Sequence, residues 1–282
     1  MPRKVTAAPK SGTTKTTKPK KAVSPKESTV NLKKDLLSQI KIDLKHKNET
    51  QKKLTQSIKN GDVTVCIGPA GTGKTYISCQ QALLEIKNND VIKKIVLVKS
   101  VTTLKTEEIG FLKGSMEEKM EPFMYSFIGN FEKIIGKQLY ENLKTEKYIE
   151  ILPIAYLRGV NIDNAIVIID EVQNISIDNI RTILTRLGEN SKMVFLGDIK
   201  QIDSKNKNNS ALKFLVEHFN NVDRINIVEF NKNDIVRHPL IKTIEDIFDK
   251  VNENENKNKA VKKPKESFLT IFFKKVFSRI VQ

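Results

Sequence analysis

The clearest chemistry in the chain lies in eight consecutive residues: Gly68, Pro69, Ala70, Gly71, Thr72, Gly73, Lys74 and Thr75. They spell Gly-x-x-x-x-Gly-Lys-Thr between a β-branched apolar run at 63–67 and a helix-forming stretch that opens at Tyr76. The glycines let the backbone turn tightly, so that the loop N–H groups converge on one anion at the positive end of the next helix. Lys74 can reach the β- and γ-phosphates of a nucleotide, and the Thr75 hydroxyl can hold Mg²⁺. Residues 68–76, Tyr76 included, are therefore the candidate ATP-binding set, with ATP and Mg²⁺ as cofactors.

Such a loop alone only binds. Hydrolysis needs a carboxylate for the metal and a group to activate water. The most apolar run in the chain, 165–169, ends in Asp170-Glu171. Asp170 is the candidate metal ligand and Glu171 the candidate to polarise the attacking water. A further run, 193–196, ends in Gly197-Asp198, and Gln201 three residues on is placed to meet a γ-phosphate. Arg237, before His238-Pro239, supplies a guanidinium suited to charge developing on a transferring phosphoryl group, in cis or from a neighbouring subunit. Gln51, just upstream of the first strand, is a candidate to read an adenine edge. Its plainer reading is a helix-surface Gln.

The elements that must position these residues alternate. Strands are expected at 63–67, 95–98, 148–152, 165–169, 193–196 and 225–228. Helices are expected at 36–44, 48–60, 76–86, 116–127, 131–143, 177–187, 209–219 and 239–251. The last is expected to be a core helix, with Ile241, Ile244, Ile247 and Phe248 inward. Continuous apolar strands between amphipathic helices predict an α/β fold with a largely parallel, doubly covered sheet.

The tails differ from this middle. The chain has 282 residues and a formal net charge of +16. Residues 1–30 hold eight Lys/Arg against one Glu, and residues 252–282 hold eight against three. The first tail has almost no large apolar residue and is expected to be disordered. The second reads as a polar and basic linker, then an amphipathic helix with apolar pairs at 268/269, 272/273, 276/277 and 280/281. That helix suits a core or oligomer contact, or else a membrane surface or a partner protein. The organisation expected is thus 1–30 basic tail, 31–251 globular domain and 252–282 linker and helix. The basic balance points to a polyanionic partner. Cys66 and Cys79 read as small buried apolar groups in a reducing compartment, and no secretory h-region or bilayer-spanning run is seen, so a cytoplasmic location is expected.

In this order the elements resemble the PhoH-like family, within the RecA-type P-loop NTPases. The resemblance runs from about Asn48 to Ile247 and includes Gly110-Phe111-Leu112-Lys113-Gly114, Pro153 to Gly159, Leu184 to Gly188 and Arg237-His238-Pro239-Leu240. Asp170-Glu171-x-Gln173 is similar to motif II of superfamily 1 helicases, and Gly197-Asp198-x-x-Gln201 to motif III. The resemblance implies a RecA-like ATPase acting on RNA or single-stranded nucleic acid. A full helicase has a second RecA-like domain, and about 80 residues follow Gln201 here, too few for one. The expectation is a homo-oligomer such as a hexameric ring, with Arg237 supplied across an interface, or else a protein that is not a processive translocase. Lys99 stands where the family usually has Arg, keeping the charge but losing the bidentate fork. The alternative function is a nucleotide-switched nucleic-acid-binding module with little turnover. A P-loop kinase fits less well, because the Asp-Glu and Gly-Asp-x-x-Gln elements have no role in one.

Overall fold

The computed structural model describes residues 35–100, 119–202 and 209–261, with backbone alone for 252–261. The N-terminal basic tail, the Gly-Phe-Leu-Lys-Gly stretch at 110–114 and the paired apolar residues at 268–281 lie outside them.

Six parallel strands form one sheet: β1 (Val63–Ile67), β2 (Lys94–Lys99), β3 (Ile149–Ile151), β4 (Ala165–Asp170), β5 (Lys192–Gly197) and β6 (Ile225–Glu229). Their order is β3-β2-β4-β5-β1-β6. The α/β class and the parallel sheet are as the sequence predicts. The strand of highest apolar content, β4, is buried along its first five residues because both of its faces are covered.

Alternate residues serve two cores. On one face Cys66, Leu97, Ile168, Val194 and Leu196 meet the helices α1 (Glu49–Asn60), α2 (Lys74–Asn88), α3 (Tyr125–Ile135) and α4 (Lys137–Thr145). On the other, Val65, Val98, Val167, Met193 and Phe195 meet α5 (Ile177–Leu184) and α6 (Ala211–His218). This two-residue alternation between faces is the pleat of each strand expressed as packing.

Several expected helices are corrected. The helix expected at 36–44 is one turn at 35–38, followed by chain without regular structure that buries Ile40, whose carbonyl accepts from Lys87. The two helices expected at 116–127 and 131–143 divide elsewhere. A 3₁₀ turn at Glu121–Met124 leads into α3, and Gly136, at φ 83°, separates α3 from α4. The largest departure is the final helix, α7 (Leu240–Val261). It runs straight through 252–258, read above as linker. It is no core helix either, since Ile244, Ile247 and Phe248 are exposed. Among the described residues no helix is long and apolar enough to cross a membrane.

Candidate functional site

Parallel pairing brings the C-terminal ends of four strands side by side. Ile67 is in register with Gly197, and Lys99 with Asp170. The Gly68 N–H donates to the Gly197 carbonyl, and the Ser100 N–H to that of Asp170. Open α/β sheets present ligand sites at this end of their strands.

The turn after β1 needs its glycines for two reasons. Gly68 and Gly73 have φ of 141° and 91°, in the region that β-carbons disfavour. A side chain at 68 would also put its Cβ 2.5 Å from the Phe230 carbonyl oxygen, and one at 73 would come 2.8 Å from Gln51 Nε2. Gly73 caps α2, so Lys74, Thr75 and Tyr76 form that helix's first turn. Thr72 is buried and donates from Oγ1 to the Pro69 carbonyl, while Ala70 is exposed at the tip. Lys74 Nζ donates to the carbonyls of Gly68 and Pro69 at 2.6 and 2.8 Å. Burial lowers its pKa, with the carboxylates of Asp198, Asp170 and Glu171 working against that.

Those three carboxylates form the opposite side. Asp170 ends β4, and burial, then the charge of Glu171, pushes its pKa up to about 6. The Glu171 N–H, Lys99 and Lys74 oppose the shift. Glu171 has a left-handed backbone, φ 59° and ψ 39°, which costs a non-glycine residue on the order of 1 kcal/mol and recurs at functional sites. Its Oε2 accepts from Gln173 Nε2 at 2.6 Å, and Gln173 Oε1 accepts from the Asp198 N–H at 3.1 Å. Gln173 is 1% exposed. Asp198, nearly as buried, is also raised by burial, and its side chain accepts from the Lys200 N–H. Gln201 ends a 3₁₀ turn, Ile199–Gln201, with its side chain exposed.

Gln51, on the first turn of α1, is 3% exposed. Its Nε2 donates to the Thr72 carbonyl at 2.9 Å, and its Oε1 accepts from the Lys47 N–H at 2.8 Å. It therefore braces the glycine loop, which the helix-surface reading does not describe. Arg237 also lies on that loop. The Val236 N–H donates to the Gly71 carbonyl, and the aliphatic stem of Arg237 passes over Gly71. Tyr76 is placed differently: its ring packs against the core beneath Lys133, and its hydroxyl accepts from Gln80.

The fold thus gathers Gln51, residues 68–75, Asp170, Glu171, the Asp198–Gln201 turn and Arg237 at one end of the sheet. Sequence reasoning assigned no role to Gln173 or Asp234. Gln173 was legible in the Asp-Glu-x-Gln spacing. Asp234 carried no such signal, yet its carboxylate accepts from Thr50 Oγ1 and the Asn231 N–H, and its carbonyl from Asn48 Nδ2. It ties the start of α1 to the segment that bears Arg237.

A parallel sheet with β5 between the loop strand β1 and the carboxylate strand β4, bearing a Gly-Lys-Thr turn at the head of a helix, defines a P-loop NTPase fold. Within that class the chain belongs to the PhoH-like protein family, whose model matches residues 43–249. A PhoH-like protein of Bacillus subtilis (strain 168) is 38% identical over 202 residues, which are 72% of this chain and 63% of the relative. A PhoH-like protein of Synechocystis sp. is 35% identical over 214 residues, 76% of this chain and 64% of its own. The chain therefore spans less than two thirds of these relatives' length. Among solved structures, the large terminase of a thermophilic bacteriophage is 12% identical and aligns over 71% of this chain and 50% of its own, with a TM-score of 0.41.

Proposed function

We propose that this chain binds ATP with Mg²⁺ and hydrolyses it, with turnover coupled to RNA or single-stranded DNA. The observation that carries the reading is the placement of Glu171, held by Gln173, beside Asp170 at the sheet end that also bears Lys74.

The residues suit the metal. Thr75 offers a hydroxyl at the head of α2 and Asp170 a hard carboxylate oxygen at the end of β4, which suits Mg²⁺, an ion that takes one or two protein oxygens beside phosphate and water. Burial first, and then the charge of Glu171, raises the pKa of Asp170, and a divalent cation would offset both. Mg²⁺, when bound, neutralises charge on the β- and γ-phosphates. Thr75 and Asp170 would hold it. Lys74 exchanges the Gly68 and Pro69 carbonyls for phosphate oxygens, and Glu171 orients and polarises water. Gln201 meets the γ-phosphate from the edge of the site. Arg237, whose stem crosses Gly71 of the same chain's glycine loop, supplies its guanidinium in cis. Gln51 sets the loop through its bond to the Thr72 carbonyl, and reading an adenine edge would require it to give up that bond. The basic composition supports a nucleic-acid partner, and two reduced, buried cysteines support action in the cytoplasm.

The deciding experiment is ATP turnover with and without single-stranded RNA and DNA, beside Lys74→Ala and Glu171→Gln. Expected are Mg²⁺-dependent turnover, stimulation by one nucleic acid, and loss in both variants. Glu171→Gln is expected to keep nucleotide binding. Wild-type turnover no faster than Lys74→Ala removes the ATPase reading.

A further inference from the structure

The helix α7 is turned inside out. Leu240, Ile244, Ile247, Phe248 and Val251 are 42–62% exposed. At about 100° per residue they share one stripe roughly 100° wide. The opposite side, which faces the protein, is charged. Asp246 Oδ1 lies 2.6 Å from Lys232 Nζ, and Asp249 Oδ2 lies 2.6 and 2.7 Å from Lys232 and Lys200. Lys242 Nζ donates to Asn233 Oδ1. A helix on a soluble domain ordinarily buries the apolar stripe and shows the charged one. Reversal leaves a contiguous apolar face that calls for a cover.

We propose that residues 268–281 of the same chain form that cover, packed antiparallel on α7 as the second arm of a helical hairpin. Their apolar pairs recur every four residues, which on a helix makes a broad apolar stripe. Pro264 separates them from the end of α7 and cannot continue its hydrogen bonding. The reach is sufficient. Six connecting residues, 262–267, span up to about 20 Å, against about 15 Å of helix from Val261 back to Val251. Fourteen helical residues then extend about 21 Å, enough for the roughly 17 Å from Val251 to Leu240.

The charges agree. Apart from Asp246, Asp249 and Lys242, which turn to the protein, residues 240–255 carry Glu245, Glu253 and Glu255 against Lys250. Residues 262–282 carry five Lys and one Arg against Glu266. A connector this short gives the tail an effective concentration near the millimolar range, which a second copy or a free partner must exceed. Because Asp249 also holds Lys200, beside Gln201, the covered helix is the one tied to the turn after β5.

The test is disulfide trapping in the full chain at low protein concentration. One cysteine replaces Phe248, and a second replaces Phe272, Phe273, Val276 or Phe277 in turn. Native Cys66 and Cys79 are fully buried and do not compete. The control moves the first cysteine to the exposed Lys250, off the stripe. Expected is an intrachain disulfide, running as monomer on a non-reducing gel, that forms at least about tenfold faster from 248 than from 250. Disulfide-linked dimers alone would assign the face to a second copy and overturn the proposal. Equal rates from 248 and 250, or no disulfide at any position, would overturn it as well.

Discussion

Gln173 holds Glu171 by a 2.6 Å hydrogen bond from its amide nitrogen to a carboxylate oxygen, and its own carbonyl takes the N–H of Asp198. One buried side chain thus joins the ends of β4 and β5. Glutamine suits the position because its amide offers a donor and an acceptor at opposite corners. Gln173→Glu reverses the donor and sets two carboxylates together. We expect kcat to fall at least about tenfold, within the range that a misplaced general base costs. Nucleotide affinity should be nearly unchanged. Steady-state kinetics beside equilibrium nucleotide binding separate the two quantities.

Asp170 gives a pH signature in metal-free protein. Its folded pKa of about 6 lies above the ordinary 3.8, so the folded state holds the proton more tightly than the unfolded state does. Stability from this group is full below about pH 4 and declines as pH rises toward 6. The ionised cost above pH 6 is at most about 3 kcal/mol. Asp170→Asn should therefore gain stability relative to wild type as pH rises from 4.5 to 7, while losing turnover. Urea unfolding in EDTA across that range measures it. A difference that stays flat with pH would contradict the assignment.

Asp234 is a structural joint. Asp234→Ala leaves the Asn231 N–H and the Thr50 hydroxyl without their acceptor near the base of the Arg237 segment. The expected loss is about 1–3 kcal/mol, read from the denaturation midpoint. Weaker nucleotide binding should accompany it, because Val236 and Arg237 lean on Gly71.

Gly68→Ala tests the loop's clearance. The added methyl would meet the carbonyl oxygen and Cβ of Phe230 at 2.5 and 2.6 Å, at a φ of 141°. Neither neighbour can move without shifting the backbone after β6. Destabilisation of roughly 1–3 kcal/mol and loss of nucleotide binding are expected. Gly129→Ala, where nothing lies within 4 Å, should be nearly silent by both measures.

The thiols should be inert. Cys66 is fully buried, and burial pushes its pKa up to about 12. Cys79 is equally buried and is raised by the same cause. Neither is a thiolate near pH 8, so a thiol reagent should react only at the rate of unfolding. Labelling that is fast in native buffer and unchanged by added urea would refute this.

The local chemistry of this protein was legible in the sequence. Gly68 to Thr75 need only their own spacing to make a loop of convergent N–H groups. The runs at 165–169 and 193–196 announce buried parallel strands through their composition. Helix ends were less legible. Gly136 splits a pattern that periodicity alone reads as one helix, because its φ of 83° is a tertiary choice. Three facts belonged wholly to the assembled fold. The insertion of β5 between β1 and β4 sets Asp198 among the groups around Lys74, and strand order across a sheet is not written in strand order along a chain. Gln51 turns inward onto Thr72, although its neighbours make an ordinary amphipathic helix start. The apolar face of α7 points outward because Lys200 and Lys232 hold its acidic side. Periodicity marks which residues share a helix face. Only the surrounding elements decide which face turns in.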